Sequence, residues 1–403
     1  MMYRIFPLLV LVTLCACSTM DKVSNYLRSD EDNTEPPTPL VEFKQGLNVI
    51  KLWSESTGSG TRKQYLQLAP IIANQRLYVV DINGYIECLD ATNGESVWSR
   101  NLHYSLPSKL KFWSNADTET ITGGPGYGEN TILIGTSKGQ VIAYGADRGE
   151  ELWRAQVTSE VLSAPQEQNN IVIVRTLDGK IFALDGKNGK SLWNYDRTVP
   201  NLTLRGTSTP VIYDKIVIAG SDSGHIAALE LQTGKVLWDA PVTEPRGTTD
   251  LERMVDIDST PAVVNGIIYV ATYRGDVVAI QMESGREMWR RELSTYAGFS
   301  ADDNNIYITD ENSQLWALER YSGNSVWKQE KLHARGATAP GVIGNYVVVG
   351  DFEGYVHWMN RETGDFVART RVSKERIIAK PLVVGKFIYV YCSDGTLTAY
   401  TYR

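Results

Sequence analysis

The sequence predicts an all-β protein: an eight-bladed β-propeller of four-stranded antiparallel blades, its ring closed by the N-terminal strand. Three observations carry this reading. First, a polar turn closed by tryptophan recurs, as in "LDATNGESVW" (Leu89 to Trp98), "LDGKNGKSLW" (Leu184 to Trp193), "LELQTGKVLW" (Leu229 to Trp238) and "LERYSGNSVW" (Leu318 to Trp327). Second, the tryptophans Trp53, Trp98, Trp153, Trp193, Trp238, Trp289 and Trp327 are separated by 38 to 55 residues, the period of a propeller array. Third, the chain ends on a repeat that lacks its last strand, "AKPLVVGKFIYVYCSDGTLTAYT", while a spare strand with Trp53, "VIKLWSES", stands near the start.

Residues 1–16 read as a signal peptide. Arg4 is followed by an apolar run, Ile5 to Ala16, too short to span a bilayer. Leu14-Cys15-Ala16-Cys17 resembles a bacterial lipobox, so Cys17 is the expected lipid-attachment residue. Each buried CH₂ adds about 0.8 kcal/mol, so several acyl chains anchor where one does not. Ser18 stands where Asp would resemble the inner-membrane retention signal, which implies the outer membrane with the protein body in the periplasm. Residues 17–40 carry "SDEDNTEPPTP" and read as a flexible tether. The propeller is expected over 41–403.

One unit shows the blade. "TPAVV" (Thr260 to Val264) is a short strand, Asn265-Gly266 a hairpin signal, and Ile267 to Thr272 a second strand. Asp276 to Ile280 is the third, and Arg286 to Trp289 begins the fourth. We label the four A to D from the axis outward. Each tryptophan is expected to pack between its own blade and the next, and each glycine before it to hold the φ > 0 position of the C–D turn. Blade seven departs: "NRETGDFVAR" has Val367 and Ala368 where tryptophan belongs, which predicts a weaker seam. Cys88 and Cys392 sit in apolar strand patterns and are expected as buried thiols, although an oxidising periplasm permits a disulfide.

Several chemistries are argued against. A formal net charge of −7 does not suit a general nucleic-acid binder. Gly135 to Gly139 ("GTSKG") matches G-x-S-x-G, but between two strands rather than at a strand-to-helix elbow. The glycine-rich "GGPGYG" (Gly123 to Gly128) lacks phosphate-loop spacing. His103, His225, His333 and His357 are scattered without metal-ligand spacing, and no cofactor is expected.

The loops from strand D to the next strand A vary most, the longest being Asn101 to Gly123 and Ala240 to Ser259, so the face they form is the expected binding face. Two stretches on it stand out: "NLTLRGTSTP", with Leu202, Leu204 and Arg205, and "MVDIDSTP", with Asp256 and Asp258. On the residues alone, Arg205 and the two carboxylates serve equally well to fix each other's loops or to meet a partner. The leucines favour a partner, since interface cores combine apolar anchors with Arg. As groups on exposed loops, all five are expected to matter little for stability.

The lipobox, the tether, the "WSESTGSG" opening, the tryptophan-docked repeats and the pair "LTLRG" and "DIDSTP" together resemble the propeller lipoproteins of the outer-membrane β-barrel assembly machinery. In that family the L-x-L-R and D-x-D loops contact a periplasmic POTRA domain of the barrel-forming subunit BamA. The resemblance therefore implies a BamA site at Leu202, Leu204, Arg205, Asp256 and Asp258. It implies a non-catalytic scaffold that assists folding and insertion of outer-membrane proteins, with unfolded outer-membrane proteins as further partners. The repeats also resemble those of the pyrroloquinoline-quinone dehydrogenases, and a quinoprotein is the alternative. Those enzymes carry a vicinal Cys-Cys pair and a calcium cluster; this chain has no Cys-Cys and is shorter.

Overall fold

The computed structural model describes residues 35–62, 64–102, 119–197, 208–243 and 255–403. Among these residues thirty-two strands form eight four-stranded antiparallel sheets. Blades 1 to 7 take their strands in chain order; blade 5, for example, is Ala262–Val264, Ile267–Ala271, Asp276–Gln281 and Glu287–Glu292. Blade 8 is built from Leu382–Val384, Phe387–Tyr391 and Thr396–Tyr402, and its outer strand is the N-terminal Val49–Ser56. The spare strand thus closes the ring, and no first or last blade is left with an open seam. The short A strands touch their neighbours round the axis. The B and C strands are buried on both faces and supply the core between blades.

The recurrent tryptophan is a seam. Each indole N–H donates to the backbone carbonyl that follows strand C of the next blade: Trp98 to Ala146 at 2.9 Å, Trp153 to Gly186 at 2.7 Å, Trp238 to Met282 at 2.8 Å, Trp327 to Arg361 at 2.8 Å. Its ring lies against the turn glycine of that blade. A Cβ on Gly149 (φ +68°) would stand 2.5 Å from the Trp98 ring, and one on Gly189 (φ +72°) 2.6 Å from Trp153. The glycine is therefore required twice over, by its left-handed backbone and by the ring on top of it. Opposite each of these tryptophans, on strand C of its own blade, stands a small residue: Ala143 faces Trp153, Ala183 faces Trp193, Ala399 faces Trp53. Cys88 faces Trp98 in the same way, which accounts for a thiol there.

Blade 7, where a weaker seam is expected, is filled in another way, and the buried Trp358 indole N–H has no hydrogen-bond partner among the described residues. The tryptophan has moved one strand inward: Trp358 on strand C pairs with Ala368 on strand D, and Trp358 is fully buried. Blade 8 has no covalent C–D turn to receive a D-strand indole, because its outer strand comes from the other end of the chain. Asn48 and Arg403 exchange backbone hydrogen bonds where that turn would be. Leu47 packs with Trp358, Ala368 and Tyr400 to fill the seam, and the Gly46 N–H donates to the Val367 carbonyl at 2.8 Å.

Cys88 and Cys392 are both buried free thiols. Burial pushes the Cys88 thiol up to about 11. The "GGPGYG" stretch is not a loop but the inner strand of blade 2, Ile121–Gly128. Its glycines admit blade 3: a Cβ on Gly126 would lie 1.8 Å from the Pro165 carbonyl oxygen, and one on Gly123 2.5 Å from that of Ser163. "GTSKG" is a turn between strands Thr131–Thr136 and Gln140–Gly145.

Candidate functional site: the D–A face

The B–C turns on this face are capped by their own first residue. The Asp81 carboxylate accepts the Tyr85 N–H at 2.8 Å, Asp351 accepts Tyr355 at 2.9 Å, and the Thr136 hydroxyl accepts Gln140 at 3.0 Å. Four B–C turns donate an N–H to the D–A segment of their blade: Leu177 to the Glu160 carbonyl, Tyr273 to Asp256, Phe352 to Arg335 and Ser393 to Arg376, at 2.8 to 3.1 Å. These bonds make Glu160, Asp256, Arg335 and Arg376 equivalent positions round the axis. Four charged residues thus share one structural role in four different blades.

The D–A segments surround an axial cavity of about 850 Å³. Leu66, Leu162 and Ile377 give it apolar walls; Tyr65, Tyr296 and Tyr273 give it aromatic ones; Glu160, Asp258 and Arg376 are its charged groups.

The predicted site residues divide. Leu202, Leu204 and Arg205 lie outside the described residues, as does Cys17. Asp256 and Asp258 are described, and they are not exposed loop groups: Asp256 is 0% accessible and Asp258 8%. The reason is Ile257, wholly buried, whose side chain lies where a Cβ on Gly220 would come within 2.4 Å. Its N–H donates to the Ser221 carbonyl of blade 4. The D-I-D segment is thereby wedged between two blades, so the expectation of little structural consequence fails at these two positions.

The stems of the two candidate loops meet. Ser208, which follows the L-x-L-R loop, donates its hydroxyl to the Ser259 carbonyl at 3.1 Å. Arg175, from blade 3, donates to the Ser208 carbonyl at 3.4 Å and forms a buried ion pair with Asp222. Sequence reasoning missed Arg175, the last residue of strand B in blade 3, and Asp222, in the B–C turn of blade 4, neither of which carries a motif of its own.

A second buried network lies in blade 7. Arg335 donates through Nε to Asp351 at 2.9 Å and pairs with Glu353. His357 Nε2 lies 2.9 Å from Asp351, and Arg369 Nε donates to His357 Nδ1 at 3.2 Å. A ring nitrogen that accepts from guanidinium is unprotonated, so His357 is neutral with its proton on Nε2. Burial, chiefly, depresses its pKa. Arg335 and Arg369 also reach the carbonyls of Thr38 and Val41 at 3.1 and 3.0 Å, which straps the segment before the closing strand to blade 7.

With this geometry in hand, the comparisons become specific. A family model described as outer membrane protein assembly factor BamB matches residues 83–329. A relative in Xanthomonas campestris, named outer membrane protein assembly factor BamB, is 34% identical over 401 residues, covering 99% of this chain and 98% of its own. The chain belongs to the BamB family. The crystal structure of BamB from Moraxella catarrhalis superposes with a TM-score of 0.76 at 28% identity, over 88% of this chain and 100% of that one. The quinohemoprotein alcohol dehydrogenase of Comamonas testosteroni superposes with a TM-score of 0.67 at 14% identity, over 88% of this chain and 76% of that one. The second likeness shows a shared propeller and nothing of chemistry. Its BamB membership places this chain among outer-membrane protein assembly factors.

Proposed function

We propose that this chain is a non-catalytic scaffold, anchored to the outer membrane through acylated Cys17 and facing the periplasm, that binds a POTRA domain of BamA with its D–A face. The observation that carries the reading is the joined stems at Ser208 and Ser259, in a chain similar over its whole length to a named assembly factor. That bond joins the segment that follows residues 201–207 to the end of the D-I-D segment. Leu202 and Leu204 are the apolar anchors, each worth about 1.5 to 3 kcal/mol when buried. Arg205 offers its planar fork to carbonyls or carboxylates of the partner. Asp256, inside the wedge, holds the surface in shape, while Asp258 borders the axial cavity. Domain boundaries follow: a signal over 1–16, a tether over 17–40 and the propeller from 41.

Two measurements test this. Replacing both Leu202 and Leu204 by Ala abolishes co-purification with the periplasmic part of BamA, and retained capture excludes the assignment. Cys17→Ser yields an unacylated, soluble or unprocessed protein; continued acyl labelling refutes the anchor.

A further inference from the structure

Two neighbouring seams carry the same pair of polar residues in the same places. Tyr307, on strand B of blade 6, faces Ala317 and packs against Trp327; Tyr269, on strand B of blade 5, faces Ala279 and packs against Trp289. Arg361 supplies the carbonyl that accepts the Trp327 indole, and Arg320 supplies the one that accepts Trp289. Each arginine N–H donates to the A–B turn of its own blade, Arg361 to Asn345 and Arg320 to Asn304. In the seam of blades 6 and 7 a third group joins them. The Asp302 carboxylate accepts the Tyr307 hydroxyl at 3.0 Å and lies 3.5 Å from Arg361 Nη1. Blade 5 has Val264 in that place, and Val264 belongs to the apolar cluster round Tyr269. The seam of blades 5 and 6 therefore keeps the tyrosine and the arginine and lacks the carboxylate.

Arg320 is 1% accessible, and its Nε and Nη1 have no hydrogen-bond partner among the described residues; nor has the Tyr269 hydroxyl. Nη2 alone is engaged, donating to the Tyr321 hydroxyl at 2.5 Å, with the guanidinium carbon 4.6 Å from the Tyr321 ring centroid. Glu319, the adjoining carboxylate, accepts the Ser322 hydroxyl within its own C–D turn. Burial, chiefly, raises the Tyr269 phenol to about 12, and Arg320 draws it down, so the two groups are electrostatic neighbours. A buried guanidinium is costly unless an acceptor of opposite charge meets it, and a buried phenol needs an acceptor too. Water accepts from both but carries no charge, whereas the sister seam meets both needs with one carboxylate. We propose that the seam of blades 5 and 6 binds a small monovalent anion between Arg320 and Tyr269, in the role that Asp302 has in the next seam. One guanidinium balances one negative charge, and its burial limits the ligand to a small one. Two sources carry that chemistry, a halide and a small carboxylate such as formate. This inference goes beyond the scaffold reading and stands without it.

The test is urea unfolding of the full-length protein in detergent, at constant ionic strength, with chloride or formate replacing a bulky morpholinoethanesulfonate. Binding to the folded state raises the folded-to-unfolded ratio about tenfold between roughly 1 and 300 mM of the small anion. A larger rise in chloride assigns the site to halides, and a larger rise in formate assigns it to small carboxylates. Arg320→Met abolishes the dependence, and Tyr269→Phe weakens it. Val264→Asp supplies the missing carboxylate and makes stability independent of the anion. In crystals grown in bromide, an anomalous scattering peak lies between Arg320 and Tyr269. A midpoint equal in the bulky sulfonate and in both small anions, a dependence kept by Arg320→Met, or no bromide peak at this place overturns the proposal. BamA capture stays unchanged in Arg320→Met, so failure here is distinct from failure of the scaffold reading.

Discussion

The two faces of the propeller are built on opposite rules. On the C–D turn face seven of the eight seams repeat one device, a left-handed glycine, a tryptophan ring on it and an indole hydrogen bond to the next blade, the seam of blades 7 and 8 being the exception. On the D–A face equivalent positions carry Glu160, Asp256, Arg335 and Arg376, and their partners differ from blade to blade. Repetition on one side fixes the ring, and the other side is thereby free to vary. The proposed partner site would then lie at the end of the strands opposite the repeated seams. That division is testable, because substitutions on the two faces are expected to differ in what they break.

The largest effects belong to the seams. Trp153→Ala removes a ring and a hydrogen bond and costs about 3–5 kcal/mol in denaturant unfolding. If the strand exchange in blade 7 fills its seam as argued, Trp358→Ala costs as much; a loss under about 1 kcal/mol would show that blade 7 does not depend on it. Gly149→Ala combines backbone strain with overlap onto the Trp98 ring, and about 2 kcal/mol is expected. None of the three changes BamA capture at temperatures where the variant is folded.

The smaller effects sharpen the contrast. Glu167 lies at the seam of blades 2 and 3, where burial, followed by Glu129, raises its pKa to about 7. The folded protein therefore holds a proton that the unfolded chain releases near the ordinary glutamate value of 4.5. This group's contribution is fully present below that value and is lost as pH rises toward 7. Glu167→Gln should accordingly gain stability relative to the parent at pH 8 and show no such gain at pH 4. A difference independent of pH, measured by urea unfolding, contradicts the assignment. On the D–A face, Asp256→Ala is expected to lose about 1–3 kcal/mol because its carboxylate is buried, unlike an exposed loop substitution.

Most of the fold was legible because it rests on short-range signals repeated in register. Glycine turns, tryptophans and the orphan strand before Ser56 sufficed for blade number and ring closure. The blade 7 exchange was not legible, since it depends on Trp358 facing Ala368 across a strand pair and on the missing turn of blade 8. Burial of Asp256 was hidden for a similar reason: Ile257 is one apolar residue in a polar loop, and only the neighbouring blade reveals its pocket at Gly220. Arg320 was invisible because its meaning lies in Val264 standing where blade 6 has Asp302. Pairings between blades are set by position in the ring, and a linear motif does not record them.

The central claim is that the D–A face recognises a partner without carrying the fold. Arg205→Glu reverses the charge of a residue proposed for that site, and its effect on BamA periplasmic-domain capture and on the unfolding midpoint is to be measured on one preparation. The account predicts that capture is lost while stability changes by no more than about 0.5 kcal/mol. Capture as tight as the parent's, or loss that only accompanies unfolding, would contradict it.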